Sequence, residues 1–138
     1  MANIIGIGGI FLKFNDPAAM REWYLSVLGM PTNDYGVLFE FNGNDSQNKG
    51  QLQLGTFPAD SDYFGKQSQQ TMINFRVDDL VAFEILLRER NVTIVDELES
   101  FSYGKFLHIE DPEGNRIELW EPVNEGFTES DEPKVVMK

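Results

Sequence analysis

The sequence predicts an α+β domain made of two tandem βαβββ modules, each with one strand, one helix and three further strands. Alternating apolar and polar residues indicate strands, two apolar stripes at helical spacing indicate helices, and the same order of elements occurs twice. The first module covers residues 4–58, a connecting loop covers 59–70, and the second module covers 71–122. Residues 123–138 form an acidic tail that we expect to be mobile.

The first module begins with an apolar strand at residues 4–14, which contains three glycines. Asp16 can cap the helix that follows, and Pro17 suits its first turn. Gly29 marks the end of this helix. Its apolar stripe, at the spacing of an amphipathic helix, comprises Met20, Trp23, Tyr24, Val27 and Leu28.

Two of the strands after this helix are evident in the first module, at residues 37–41 and 51–58, with a polar turn region at 42–50 between them. The connecting loop is polar but carries Tyr63 and Phe64. These two aromatic side chains either cover a pocket or anchor the loop to the core, and we favour the anchor.

The second module repeats the pattern with a strand at residues 71–77 and an N-cap at Asp78 and Asp79. The helix after them has a core-facing stripe that comprises Leu80, Phe83, Leu86 and Leu87. A further strand or turn begins at residue 92, ahead of the last two strands.

The last two strands form a hairpin across residues 104–122. Residues 105–110 and 116–121 alternate in polarity, and residues 111–115 supply the Asp, Pro, Gly and Asn that suit a tight turn. This loop length places three pairs of side chains opposite one another: Glu110 with Arg116, His108 with Glu118, and Phe106 with Trp120. The chain's only histidine therefore lies beside a carboxylate, between aromatic side chains, which makes it the best candidate for a site.

Composition excludes several classes of function. The net charge of −12 argues against nucleic-acid binding, which needs clustered Lys and Arg, although it leaves an anionic small molecule possible. No apolar run is long enough to span a membrane, and no signal peptide is evident. Without cysteine there is no disulfide and no thiolate nucleophile. We therefore expect a cytoplasmic protein.

Two motifs carry a resemblance to a known family: DPEGNRIELWEP at residues 111–122, and WYLSVLG at residues 23–29. Together with the repeated modules, they resemble the vicinal oxygen chelate superfamily across roughly residues 5–122. That superfamily includes glyoxalase I, extradiol dioxygenases, fosfomycin-resistance enzymes and bleomycin-binding proteins. The resemblance implies that the two modules curl into a mixed-sheet cup, and that two chains pair as a homodimer.

The resemblance also implies a divalent-metal site at four strand positions, which in this sequence are Gly9, Gln53, Met72 and Glu118. Only Gln53 and Glu118 keep an oxygen donor, and a thioether is a poor ligand for Mg, Mn or Zn. His108 could join them from the same face of the sheet. We expect a degenerate metal site with at most weak binding of a divalent metal, and the missing side chain at Gly9 to leave room on the floor of the cup.

Three functions remain open. The first, which we favour, is a pocket for a small organic molecule, with residues from both modules as walls and orienting groups: Gln53, Met72, Tyr63, Phe64, Phe106, His108, Glu118 and Trp120. The second is a lyase or isomerase in which His108 and Glu118 transfer a proton next to a carbonyl group. The third is a non-catalytic interaction module, in which His108 only satisfies Glu118 and aromatic side chains fill the cup.

Overall fold

The protein is described by a computed structural model covering residues 2–41, 50–123 and 135–137. Within these residues the α+β prediction is confirmed, with two helices and ten strands in one mixed sheet. The helices are α1 (Pro17–Leu28) and α2 (Leu80–Glu89). The strands are β1 (Ile4–Phe14), β2 (Thr32–Asn33), β3 (Gly36–Phe41), β4 (Gly50–Pro58), β5 (Thr71–Val77), β6 (Thr93–Ile94), β7 (Glu99–Phe101), β8 (Gly104–Glu110), β9 (Arg116–Pro122) and β10 (Val135–Met137).

The order of strands in the sheet reflects the predicted repeat. The main path runs β10-β3-β4-β1-β5-β9-β8-β6, with β2 added to β3 and β7 added to β8. In each half the first strand pairs in parallel with the last, as β1 with β4 and β5 with β9. The halves join where β1 and β5 pair antiparallel, so side chains from both halves meet on one face of the curled sheet, here called the cup.

The terminal hairpin has the predicted register. His108 lies opposite Glu118, Phe106 opposite Trp120, and Glu110 opposite Arg116. The loop at 111–115 is closed by backbone hydrogen bonds, and its glycine, Gly114, has a φ of +81° that favours glycine.

Helix α2 covers the outer face of the second half, as its apolar stripe predicts. The Asp79 side chain caps it by accepting a hydrogen bond from the backbone N–H of Ala82. Its buried residues pack against odd-numbered positions of the hairpin, and this core includes Leu80, Phe83, Leu87, Leu107 and Leu119. The even-numbered side chains of β8 and β9 therefore point to the opposite face, that of the cup.

Helix α1 forms as predicted but is less well covered than α2. Asp16 caps its start and Gly29, in a left-handed conformation, ends it. No residue of α1 is buried, however, and Trp23, Val27 and Leu28 are 45%, 59% and 54% exposed. The predicted stripe therefore packs only partly on the sheet, and an apolar strip of the helix stays accessible.

The connecting loop folds back over the sheet. Phe64 is fully buried, packs edge-on against Phe57 and lies beneath the Lys13 ammonium group, which agrees with the favoured role as an anchor. Gln69 is also buried, and its side-chain amide hydrogen-bonds to both the backbone N–H and the carbonyl oxygen of Arg116. The loop is therefore fixed to the start of β9, beside the candidate site.

Parts of two predicted segments lie outside the described residues: most of the polar turn, at 42–49, and the greater part of the acidic tail, at 124–134. The mobility of the tail stays a prediction. Its described residues 135–137 form β10, which pairs in parallel with β3. Across the described part of the chain, neither helix is sufficiently long and apolar to span a membrane.

We predict that Gln69→Ala lowers the free energy of unfolding by about 2–4 kcal/mol, because it removes three hydrogen bonds between a buried side chain and the backbone of residues 71 and 116. Urea unfolding would measure this loss. The matched control is Gln70→Ala, since Gln70 is exposed, and its change should stay within about 0.5 kcal/mol. Equal effects of the two substitutions would contradict the proposed anchoring by Gln69.

Candidate functional site

The cup contains a cavity of about 500 Å³ between the two halves of the sheet. Its lining combines side chains from both modules, including four of the predicted site residues, Gln53, Phe106, Glu118 and Trp120. The other lining residues are mainly aromatic or small: Gly8, Phe11, Tyr35, Gly55, Thr56, Phe57, Asn74 and Tyr103. The site is therefore apolar along its walls, with a few polar groups.

Glu118 is the centre of the polar network. Its side chain comes from the middle of β9 and is buried, with the residue only 2% exposed. One carboxylate oxygen, Oε1, accepts a hydrogen bond from Asn74 Nδ2 at 2.6 Å. The other, Oε2, contacts His108 Nε2 at 2.8 Å and accepts from the Tyr63 hydroxyl. Three separate elements thus supply partners to one carboxylate.

His108 lies between two carboxylates. Its Nε2 faces Glu118, its Nδ1 lies 2.6 Å from Asp96 Oδ2, and its backbone N–H donates to Asp96 Oδ1 at 2.8 Å. Burial lowers the pKa of His108, but the hydrogen bonds and charges of Glu118 and Asp96 outweigh burial and raise it above its ordinary value. The arrangement favours an imidazolium that donates to both carboxylates.

Tyr63 covers the histidine from the connecting loop. Its ring meets His108 edge-on at 5.1 Å between centroids and stacks on Phe57. Burial and the neighbouring Glu118 raise the pKa of the phenol, so Tyr63 remains a neutral donor. Neither Tyr63 nor His108 lines the cavity, and a molecule in the cavity would contact this network through Glu118.

The two remaining predicted ligand-binding residues lie deeper. Met72 and Phe64 are both fully buried and do not line the cavity in the cup. Phe64 instead borders a second cavity of about 430 Å³, near Lys66 and Arg116.

The sequence predicts free space on the floor of the cup at Gly9, where a side chain is missing. This prediction is wrong, because a neighbouring side chain occupies the space. A Cβ atom on Gly9 would lie 2.6 Å from Cε1 of Phe11. The register of β1 against β5 shifts between Ile7 and Gly9, and it is Gly8 that lines the cavity. A Cβ atom on Gly8 would lie 2.4 Å from Asn74 Oδ1, so the backbone must approach Asn74 closely here.

The residues at the four positions where the family resemblance implies metal ligands, Gly9, Gln53, Met72 and Glu118, do not fit a hard divalent ion. Glu118 already has three hydrogen-bond partners, and the Gln53 amide donates to the carbonyl of Leu54 at 3.3 Å. Within the described ranges, no group of three or more His, Cys, Asp or Glu residues is placed to hold a metal. A divalent ion wants around six ligands, mostly oxygen, which this donor set lacks.

Several residues of the site were not anticipated from the sequence. Asn74 could have been found, because it lies two residues after Met72 and so shares its face of β5. Asp96 could not, because it lies in an irregular segment between β6 and β7 without any periodic pattern. Phe11 and Phe57 occur in apolar runs whose inward-facing members cannot be distinguished by alternation alone.

Comparisons with known proteins identify the family. The sequence matches the family described as the Glyoxalase/Bleomycin resistance protein/Dioxygenase superfamily over residues 6–119, and the chain belongs to that superfamily. Among curated proteins there is no match.

Several solved structures share the fold. A variant of the methylmalonyl-CoA epimerase from Streptomyces coelicolor has 19% identity and a TM-score of 0.64, covering 88% of this chain and 96% of that one. The Mycobacterium tuberculosis methylmalonyl-CoA epimerase has 22% identity and a TM-score of 0.59, with coverage of 87% and 89%. A superfamily member from Vibrio splendidus 12B01 has 15% identity and a TM-score of 0.50, with coverage of 88% and 99%. At these identities the likeness concerns the fold.

We predict that the pairing of His108 with Glu118 and Asp96 stabilises the fold most at low pH. Because the folded pKa of His108 lies above the unfolded value of about 6.5, this stabilisation is fully present below that pH and is lost as the pH rises through the folded pKa. The difference in unfolding free energy between wild type and His108→Gln should therefore shrink with rising pH. The single histidine also allows a direct NMR titration of an untagged chain, and a midpoint below about 6.5 would contradict this network.

Proposed function

We propose that the protein binds a small organic molecule with a largely apolar body in the cup. The observation that carries this proposal is the cavity of about 500 Å³ between the two modules, which has aromatic walls and two buried polar side chains, Asn74 and Glu118. Small-molecule sites commonly have volumes of roughly 300–1,000 Å³, apolar walls and a few polar groups that orient the ligand. This combination supports a binding role.

The aromatic side chains leave the cavity open. Phe106 and Trp120 stack on each other, with 6.1 Å between centroids and 10° between their planes, along one wall. They do not fill the space between the modules, because the cavity extends to Phe11 and Phe57 on the other half of the sheet. This observation favours a ligand site over the interaction module in which aromatic residues occupy the cup.

Proton transfer by a lyase or isomerase is the second candidate, and the chain of hydrogen bonds from Asp96 through His108 to Glu118 supports it. In that reaction, Glu118 would take a proton from the carbon next to a carbonyl group and return it to another position or face. The oxygen of the resulting enolate would need a hydrogen-bond donor. The amide of Asn74 and the hydroxyl of Tyr63 already donate to Glu118, so binding is the better-supported function.

We also propose that two copies of the chain form a homodimer. The half-exposed apolar strip of α1, with Trp23, Val27 and Leu28, together with the exposed Ile4, Ile5 and Ile7 of β1, supports an interface between copies. An isologous interface would cover these surfaces on both chains.

For the homodimer, we expect sedimentation to give twice the chain mass for the wild type and a smaller species for Val27→Lys, which puts a charge into the apolar strip. Val81→Lys is the matched control, because Val81 is similarly exposed on α2. A monomeric wild type, or equal effects of the two substitutions, would contradict the proposed interface.

For ligand binding, we expect 2-phenylethanol to shift the indole N–H signal of Trp120 in a saturable way in NMR spectra of ¹⁵N-labelled protein. The second tryptophan, Trp23, lies on α1 outside the cavity and serves as an internal control, and Trp23→Phe assigns the two signals. If neither 2-phenylethanol nor its amine and carboxylate analogues, phenethylamine and 3-phenylpropanoate, move the Trp120 signal, or if both indole signals move together, the cup is not the binding site.

A further inference from the structure

The floor of the cavity offers hydrogen-bond acceptors without a free donor. Asn74 is 2% exposed, and its Nδ2 donates to Glu118 Oε1. Because an ionised carboxylate only accepts hydrogen bonds, this contact identifies the nitrogen of the amide and leaves Oδ1 as its other atom. Asn74 Oδ1 is buried and has no hydrogen-bond partner in the described part of the chain.

Glu118 can also accept one more hydrogen bond. A carboxylate has about four acceptor positions, and Tyr63, Asn74 and His108 occupy three of them. A buried acceptor without a donor is unfavourable by about 1–3 kcal/mol. A ligand that brings its own N–H or O–H donors would remove this cost at Asn74 and complete the shell of Glu118.

The charge at the cavity favours a cation over an anion. Among its described lining residues, Glu118 is the only charged one. Arg76 is not among the lining residues, although its guanidinium lies behind the cavity wall, 5.3 Å from the ring centroid of Trp120. Both Glu118 and Asp96 contact His108, so even a protonated imidazole there balances only one of the two carboxylates. A carboxylate or phosphate ligand would meet this negative charge with no Lys or Arg among the described lining residues to compensate it.

The walls suit a cation as well. Half of the lining residues are aromatic: Phe11, Tyr35, Phe57, Tyr103, Phe106 and Trp120. The faces of aromatic rings attract a cation, by about 0.5–1 kcal/mol at exposed sites and by about 2 kcal/mol or more when the pair is desolvated. The same rings provide an apolar surface for the body of the ligand.

We propose that the ligand of the cup is an amine, whose protonated nitrogen donates hydrogen bonds to Glu118 and Asn74 while its apolar body lies against the aromatic walls. This inference rests on the proposed binding function and narrows its ligand to one chemical class. The geometry also sets the direction of the molecule, with the ammonium group on the floor and the apolar body towards the rim, where Tyr35 and Tyr103 are exposed.

The test compares three probes of similar shape at pH 7 and constant ionic strength: protonated phenethylamine, neutral 2-phenylethanol and anionic 3-phenylpropanoate. Each is titrated into the wild-type protein, with the indole signal of Trp120 as the readout. We expect phenethylamine to bind at least about tenfold more tightly than 2-phenylethanol, from charge-assisted hydrogen bonds and cation–π contact. We expect no saturable shift with 3-phenylpropanoate.

The variant Glu118→Gln removes the negative charge of this side chain and nearly keeps its shape. In this variant an amide N–H group replaces one carboxylate oxygen and needs a hydrogen-bond acceptor. Asn74 supplies that acceptor if its side-chain amide rotates so that Oδ1 faces position 118. The N–H group of Asn74 then takes the place of Oδ1 at the floor of the cavity. The preference for phenethylamine over the alcohol should disappear in this variant. Glu110→Gln is the matched control, because it removes the same charge from the same hairpin outside the cavity, and it should keep the preference.

The outcomes separate the two proposals. If 2-phenylethanol shifts Trp120 and phenethylamine binds no more tightly, the binding function stands and the amine class is wrong. If 3-phenylpropanoate binds most tightly, the amine class is also wrong. If none of the three probes shifts Trp120, both proposals fail. Because the comparison of probes uses the wild-type protein, it remains decisive even if Glu118→Gln does not fold.

Discussion

The structure around the cup depends on the burial of one carboxylate. Glu118 lies almost without solvent in the sheet, where an ionised group is costly unless hydrogen bonds replace the lost water. Its partners come from the connecting loop, from β5 and from β8, as Tyr63, Asn74 and His108. Any rearrangement that moved one of these elements would leave a buried charge short of a donor, so the carboxylate fixes their relative positions.

The sequence predicts those contacts around Glu118 that follow from local features, namely loop length and the alternation of side chains along a strand. The loop of the hairpin sets its register, and the register sets the pairing of His108 with Glu118 and of Phe106 with Trp120. Alternation also predicts which face of β8 and β9 is inward. Asp96 and the position of Phe11 depend instead on an irregular segment and on a register shift in β1, neither of which has a signature in the sequence.

The same register shift lies beside Gly9, a position at which the family resemblance implies a metal ligand. At Gly9 the chain keeps no ligand, and the ring of Phe11 lies where a side chain at that position would point. The adjacent Gly8 then brings the backbone close to Asn74 and lets the cavity reach it. At this point of the cup an aromatic ring therefore lies where the resemblance implies a ligand, and membership of the superfamily does not by itself determine the chemistry of the site.

The pairing of β10 with β3 has a consequence for aggregation. Strand β3 is rich in apolar residues; β2 pairs with its first two residues, and without β10 the outer side of residues 39–41 would be a bare sheet edge. Such an edge is a template on which further chains can add as strands. Residues 135–137 pair with Phe39, Glu40 and Phe41, so the outermost strand here is only three residues long and offers a shorter template than β3. The far end of an acidic segment thereby shortens the exposed sheet edge of the first module, at the opposite side of the sheet from the hairpin.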